Sequence, residues 1–161
     1  MIQLILYTPE IPQNTGSIAR LCAATDMPLH LVEPLGFKLT DRYLKRAGLD
    51  YWPHVRLSVW PDWQSMLEGV RPERLVFTSS GHRGIIGAPY HEFAYRTGDC
   101  LVFGSESKGL PEELLAGQPH LVRIPIRGCV RSLNIANAAS ILLYEALRVT
   151  GGLEDDALQP A

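Results

Sequence analysis

Cys100-Leu101-Val102-Phe103-Gly104-Ser105-Glu106-Ser107-Lys108-Gly109-Leu110-Pro111 passes from a continuous apolar run straight into a loop of glycine and small polar residues. An apolar run without alternation predicts a strand covered on both faces, as in parallel sheets. Similar runs stand at residues 2–7, 75–77 and 121–126, with a shorter one at His30-Leu31-Val32. Between them the spacing turns helical. Pro9 and Pro12 interrupt the chain, and a helix is expected from Thr15 or Ser17, with Ile18, Leu21, Cys22 and Thr25 at helical intervals. Thr40 can cap a helix carrying Tyr43, Leu44 and Ala47, with Gly48 just past its end. A short helix is expected after Pro61, stopping at Gly69, and a last one over residues 133–149. Residues 55–60 alternate and read as an edge strand. Strand runs alternating with helices predict an α/β fold, a mainly parallel sheet flanked by helices on both faces.

The chain has 161 residues, 46% hydrophobic and 20% charged, which suits one globular domain over residues 1–150 with a core that needs no staples. Residues 151–161 read as a disordered tail. Cys22, Cys100 and Cys129 are odd in number and lack Cys-x-x-Cys spacing, so reduced thiols and a cytoplasmic location are expected. No apolar run approaches the ~20 residues that span a bilayer. The net charge of -2 does not announce a nucleic-acid partner, but Glu154, Asp155 and Asp156 sit apart in the tail. Basic residues gather at Lys38, Arg42, Lys45 and Arg46, and at Arg123, Arg127 and Arg131. Charge alone leaves the partner open.

The last helix carries Leu133, Ile135, Ala136, Ala138, Ala139, Ile141, Leu142, Leu143, Ala146 and Leu147, far more than a single stripe. A helix apolar nearly all round is buried on more than one side, here the sheet and a second subunit.

Ligands of open parallel sheets bind beyond the carboxyl ends of the strands. Three loops qualify: residues 9–16, leading into the helix with Arg20; residues 104–111; and residues 127–134. Arg20, Glu106, Ser132 and Asn134 have no evident packing role in them. No G-x-G-x-x-G follows the first strand, and the Gly104 loop fails the phosphate-loop pattern because Leu110 follows Gly109. His91-Glu92 lacks the second histidine of a zinc protease, the five histidines have no metal-ligand spacing, and G-x-S-x-G is absent. A metal-free site without an obvious nucleophile is left.

The three loops resemble the motifs of the SPOUT RNA 2′-O-methyltransferases, most closely the compact TrmL (YibK-like) branch. Asn14-Thr15-Gly16-Ser17-Ile18-Ala19-Arg20 resembles the first motif, residues 101–111 the second, and Ile124-Pro125-Ile126 followed by Arg131-Ser132-Leu133-Asn134-Ile135-Ala136-Asn137-Ala138 the third. Residues 33–37 and 46–51 match as well, so the likeness covers roughly residues 1–150. Ser17, Ser105 and Ala136 depart from the usual Asn, Pro and Ser.

The resemblance implies a deep trefoil knot in the carboxy-terminal half, a homodimer, and S-adenosylmethionine as cofactor with no metal. Backbone around Thr78, Gly104 and Ile124 would hold its adenine and ribose, with Ser132 and Leu133 closing the pocket. The implied reaction is 2′-O-methylation of the wobble nucleotide (position 34, cytidine or modified uridine) of leucine tRNAs. Arg20, Glu106, Ser132 and Asn134 would form the catalytic set. The family assigns a base role to Arg20, but guanidinium groups hold their proton, so fixing a phosphate and stabilising a developing alkoxide suits the residue better. Tyr43 and Trp52 read as core or dimer residues rather than base-stacking platforms. The alternatives are another tRNA or rRNA ribose as target, or a non-catalytic RNA- or nucleotide-binding protein.

Overall fold

The computed structural model describes residues 1–40, 51–81 and 84–154. Seven strands form one sheet: β1 (Gln3–Tyr7), β2 (Leu29–Val32), β3 (Leu57–Trp60), β4 (Arg74–Thr78), β5 (Ala88–Pro89), β6 (Asp99–Phe103) and β7 (Leu121–Arg123). Their spatial order is β3-β2-β1-β6-β4-β7-β5, and every pairing is parallel. The chain winds outward from β1 through β2 to β3, then returns to build the other half from β4 onward. The direction of winding therefore reverses between β1 and β6, where open sheets leave a crevice at the carboxyl edge.

Strand alternation divides the core between the two faces. Leu4, Leu6, Leu101, Phe103 and Val76 join α1 (Pro12–Thr25) and α4 (Ile135–Thr150) on one face. Ile5, Val102, Cys100 and Phe77 point the other way, toward Met66 of α2 (Trp63–Val70) and Leu115 of α3 (Glu112–Leu115). Each such buried side chain is worth about 1.5–3 kcal/mol of transfer free energy, which is why unbroken apolar runs were needed.

Several expected boundaries move, each for a local reason. Helix α1 starts at Pro12 rather than Thr15 or Ser17, because a first-turn proline gives up an N–H that had no intrahelical partner. In α2 the cap is Asp62, whose carboxylate accepts from Ser65 N at 2.7 Å. Gly69 lies inside that helix, and the left-handed turn that ends it falls on Arg71 (φ 50°). Strand β7 stops at Arg123, three residues short of expectation, as Pro125 has no N–H to offer a ladder. The two-residue β5 was not foreseen; it sits at the sheet's rim, where Pro89 is tolerated. The helix expected after Thr40, and with it Tyr43, lies outside the described residues. So do residues 155–161. Gly151 ends α4 in the left-handed conformation, and Gly152 N donates to Leu147 O at 2.8 Å. Among the described residues no helix is long and apolar enough to cross a membrane.

Helix α4 buries Ala139, Leu142, Leu143, Ala146 and Leu147 within the chain, while Tyr144 and Val149 remain 46% and 41% exposed. Burial on every side is therefore not met inside one chain. Trp52 is half-buried against the core.

On β2, His30 is buried, and its tautomer follows from its neighbours. Trp60 Nε1–H, a donor only, points at Nδ1 (3.3 Å), so Nδ1 is the lone-pair nitrogen and Nε2–H donates to Gln3 Oε1 at 2.9 Å. Burial lowers its pKa from 6.5 to about 4. The unfolded chain thus takes up a proton that the folded chain refuses. The resulting stability is fully present above pH 6.5 and is lost as pH falls toward 4. Urea titrations between pH 7 and pH 4 should show a loss of about 3 kcal/mol from this group. His30→Gln should flatten that slope, and an unchanged slope would refute the assignment.

Candidate active site

The carboxyl ends of β6, β4 and β7 open into a cleft of about 550 Å³. Residues 104–110, residues 78–80 and parts of the segment from Val122 to Ile135 line it. Phe103, Ile124, Ile126, Leu133 and Leu142 give it apolar surface, against which a flat aromatic group can pack. Thr78 donates its hydroxyl proton to Val102 O (2.9 Å), so toward a ligand that hydroxyl can act only as an acceptor. Gly104 must be glycine: a Cβ there would collide with the backbone of Gly109 and Leu110, where the loop folds back on itself.

Of the residues singled out in the sequence, Thr78, Gly104, Ile124, Ser132, Leu133, Glu106 and Asn134 all line this cleft. Arg20 does not. It lies on the exposed side of α1, its guanidinium 5.6 Å from the centre of the Tyr51 ring. Tyr51 in turn donates its hydroxyl proton to Gly16 O at 2.6 Å, anchoring the stacking ring to the same helix. Burial raises the Tyr51 pKa, and the nearby Arg20 charge pulls against that.

A directed chain of hydrogen bonds joins the three loops. Glu106 accepts from Glu10 N (2.8 Å), Ile11 N (3.1 Å) and Asn14 Nδ2 (3.2 Å). Asn14 Oδ1 then accepts from Asn134 Nδ2 (2.9 Å), and Asn134 Oδ1 caps α4 by accepting from Ala136 N (2.8 Å). A carboxylate at one end only accepts, and a backbone N–H at the other only donates, so both amides between them have one allowed orientation. Glu106 thereby supplies the cap that α1 lacks at Ile11, which has no side-chain bond of its own. Asn134 is both a helix cap and a member of the cleft wall.

Glu10 lies in the first loop but is not among the residues that the sequence singles out. Its carboxylate accepts from Ser107 N (2.9 Å) and Ser107 Oγ (2.8 Å), while its own N–H goes to Glu106. The two loops hence exchange bonds reciprocally. The Ser107 hydroxyl and N–H hold the Glu10 carboxyl below its ordinary pKa. Gly36 makes room for this loop, since a Cβ on it would come within 2.7 Å of Glu10 Cα and O. Nothing in the local sequence marks a partner 97 residues away. Arg123 was likewise read only as part of a basic cluster, yet it lines the cleft.

A small parallel α/β domain with a partly apolar cleft at its switch point, cross-braced by three polar loops, has room for a flat nucleotide-like group. The chain belongs to the SpoU rRNA methylase family, whose model matches residues 1–144. It is 42% identical over 154 residues to the tRNA (cytidine(34)-2′-O)-methyltransferase of Escherichia coli K12, covering 94% of this chain and 95% of that protein. The enzyme of the same name from Methylovorus glucosotrophus is 45% identical over 151 residues, with 92% and 95% covered. A solved structure concerned with 2-OH methylation of C/U34 on tRNA superposes with a TM-score of 0.85 at 49% identity, covering 92% of this chain and 95% of that one. An AdoMet-bound rRNA methyltransferase from Sinorhizobium meliloti gives 0.79 at 26% identity, over 91% of this chain and 56% of its own. The resemblance to the SPOUT methyltransferases is borne out.

Glu106→Gln puts an amide where the relay needs a pure acceptor. It should cost about 1–3 kcal/mol in denaturant titrations and move the Asn14 and Asn134 side-chain amide resonances together. If those resonances stay in place, the two amides are not oriented through Glu106.

Proposed function

We propose that this protein transfers the methyl group of S-adenosylmethionine to the ribose 2′-hydroxyl of nucleotide 34 in tRNA, with leucine tRNAs as substrates. It would act in the cytoplasm as a homodimer, with α4 threaded through a preceding loop as a deep trefoil knot. The observation that carries the reading is the convergence of seven predicted site residues on one cleft at the sheet's switch point. Relatives alike along nearly their whole length carry the named activity, which supports the choice of nucleotide.

The residues present fit the cofactor. Apolar side chains of Phe103, Ile124 and Leu142 can sandwich an adenine, and exposed backbone near Thr78 and Gly104 can read its edge. When bound, the sulfonium supplies a methyl group already activated for transfer. What is left to the chain is alignment, which alone can account for a large share of the barrier reduction. Ser132 and Asn134 line the cleft from the third loop, within range of an entering ribose, and the Glu106 relay orients the Asn134 side chain. Arg20 stands outside the cleft, so it acts on the RNA strand laid across α1. There its charge holds a phosphate and so positions the strand whose 2′-hydroxyl enters the cleft. The half-buried Ile141 and exposed Tyr144 of α4 offer the surface for a second copy.

Labelled S-adenosylmethionine, total tRNA and nuclease mapping test the reading directly. The expected product is a 2′-O-methyl group at nucleotide 34 of leucine tRNAs. Label at a different ribose would overturn the substrate, and absence of cofactor binding would overturn the activity. Arg20→Ala should keep cofactor affinity within about twofold yet lower turnover by 10²-fold or more, about the loss on removing one preorganised stabilising group. Near-normal turnover would remove Arg20 from the reaction.

A further inference from the structure

Arg123 is the last residue of β7, and strand alternation fixes its direction. Val122 and Ile124 belong to the core face shared with α1 and α4, whereas Leu121 belongs to the opposite one. The Arg123 side chain therefore leaves the sheet on the side of Ile85 and Leu115, which also line the cleft. Its Nε is buried and has no hydrogen-bond partner, and no carboxylate among the described residues pairs with the guanidinium. A buried, unpaired N–H of a cation is costly and rarely kept without a use.

The charge balance of the cleft points the same way. Among the described lining residues the cations are Lys108, Arg123 and Arg131, and the acid is Glu106. Glu106 is already committed to Glu10 N, Ile11 N and Asn14. Arg123 thus presents a guanidinium to the cleft that no carboxylate of the described lining pairs with. Lys108 and Arg131 are exposed at the mouth, whereas Arg123 is half-buried.

We propose that Arg123 is an anion-binding residue of the cleft and that its partner is a ligand oxyanion, the carboxylate on the methionine end of the cofactor. This assignment rests on the cofactor reading above. A recessed guanidinium is within reach of a small zwitterion held in the cleft, while the strand of a nucleic acid meets the mouth first. A planar fork with a free Nε suits two-point contact with a carboxylate or a phosphate equally, so an RNA phosphate is the other source of the same chemistry.

Two nucleosides separate these cases: S-adenosylhomocysteine carries the carboxylate, and 5′-methylthioadenosine lacks it. Calorimetric titration of Arg123→Met, whose side chain keeps the apolar stem, should show S-adenosylhomocysteine weakened about tenfold or more and 5′-methylthioadenosine unchanged. Arg123→Lys should recover part of the loss. If instead tRNA binding weakens and its salt dependence becomes shallower, with both nucleosides unchanged, the anion is a phosphate and the site stands. Equal weakening of both nucleosides, or no change in any ligand, overturns the site. Failure of the parent protein to bind either nucleoside would overturn the cofactor reading, and the tRNA titration would then judge Arg123 alone.

Discussion

An ionised carboxylate can accept hydrogen bonds but not give them, and the cleft is organised around that restriction at Glu106. Three donors from the first loop close on it, two of them backbone N–H groups at the start of α1. Because Asn14 must turn its amide nitrogen toward the carboxylate, its oxygen faces Asn134, and Asn134 is left with an oxygen for the first turn of α4. A single charge thus orders side chains on both helices of one face. Glu10 adds the reverse bond to Ser107, so the loops are fastened from each side. Removing either carboxylate leaves the donors of one loop without their acceptor on the other.

The relay works because the sheet brings its ends together. Leu6 pairs with Phe103 in β6, and Phe77 of β4 with Val102, so the loops that follow these strands emerge at one level. Parallel pairing puts every carboxyl end on the same edge, and the reversal of winding beside β1 leaves that edge open. The bidentate contact of Arg74 with Asp99 at 2.6 Å braces the amino ends of β4 and β6, on the far edge. The end opposite the chemistry is therefore the one fixed by a nearly buried ion pair. The catalytic edge is held by hydrogen bonds between loops, which can yield when a ligand enters.

The sequence made the sheet legible because parallel strands buried on both faces leave unbroken apolar runs, as at residues 2–7 and 100–103. Helix starts were less legible. Pro12 reads as an interruption until its position in a first turn is known, and Asp62 was hidden beside the more conspicuous Pro61. The cleft was legible as three loops, since each carries polar residues at a strand end. Their partners were not: the Glu10–Ser107 and Asn14–Asn134 contacts span 97 and 120 residues, and no local pattern encodes them. Arg20 reads in the sequence as a residue without a packing role, yet it lies over the Tyr51 ring, and its place outside the cleft depends on the phase of α1 relative to the sheet. An error of three to five residues in the helix start is enough to hide that phase.

Net charge is a poor guide to what such a protein binds. The chain carries -2 overall, yet the cleft wall carries three cations against one acid that is consumed by the loops. Screening limits the reach of any charge to about 8–10 Å in physiological salt, so an approaching ligand responds to this local surplus and not to the sum. The two levels of cation then divide the work by depth. Lys108 and Arg131 at the mouth can attract a polyanion of any sequence, and a recessed Arg123 discriminates by size, because only a ligand seated in the cleft can reach its buried Nε. Depth thereby turns one kind of charge into two kinds of recognition.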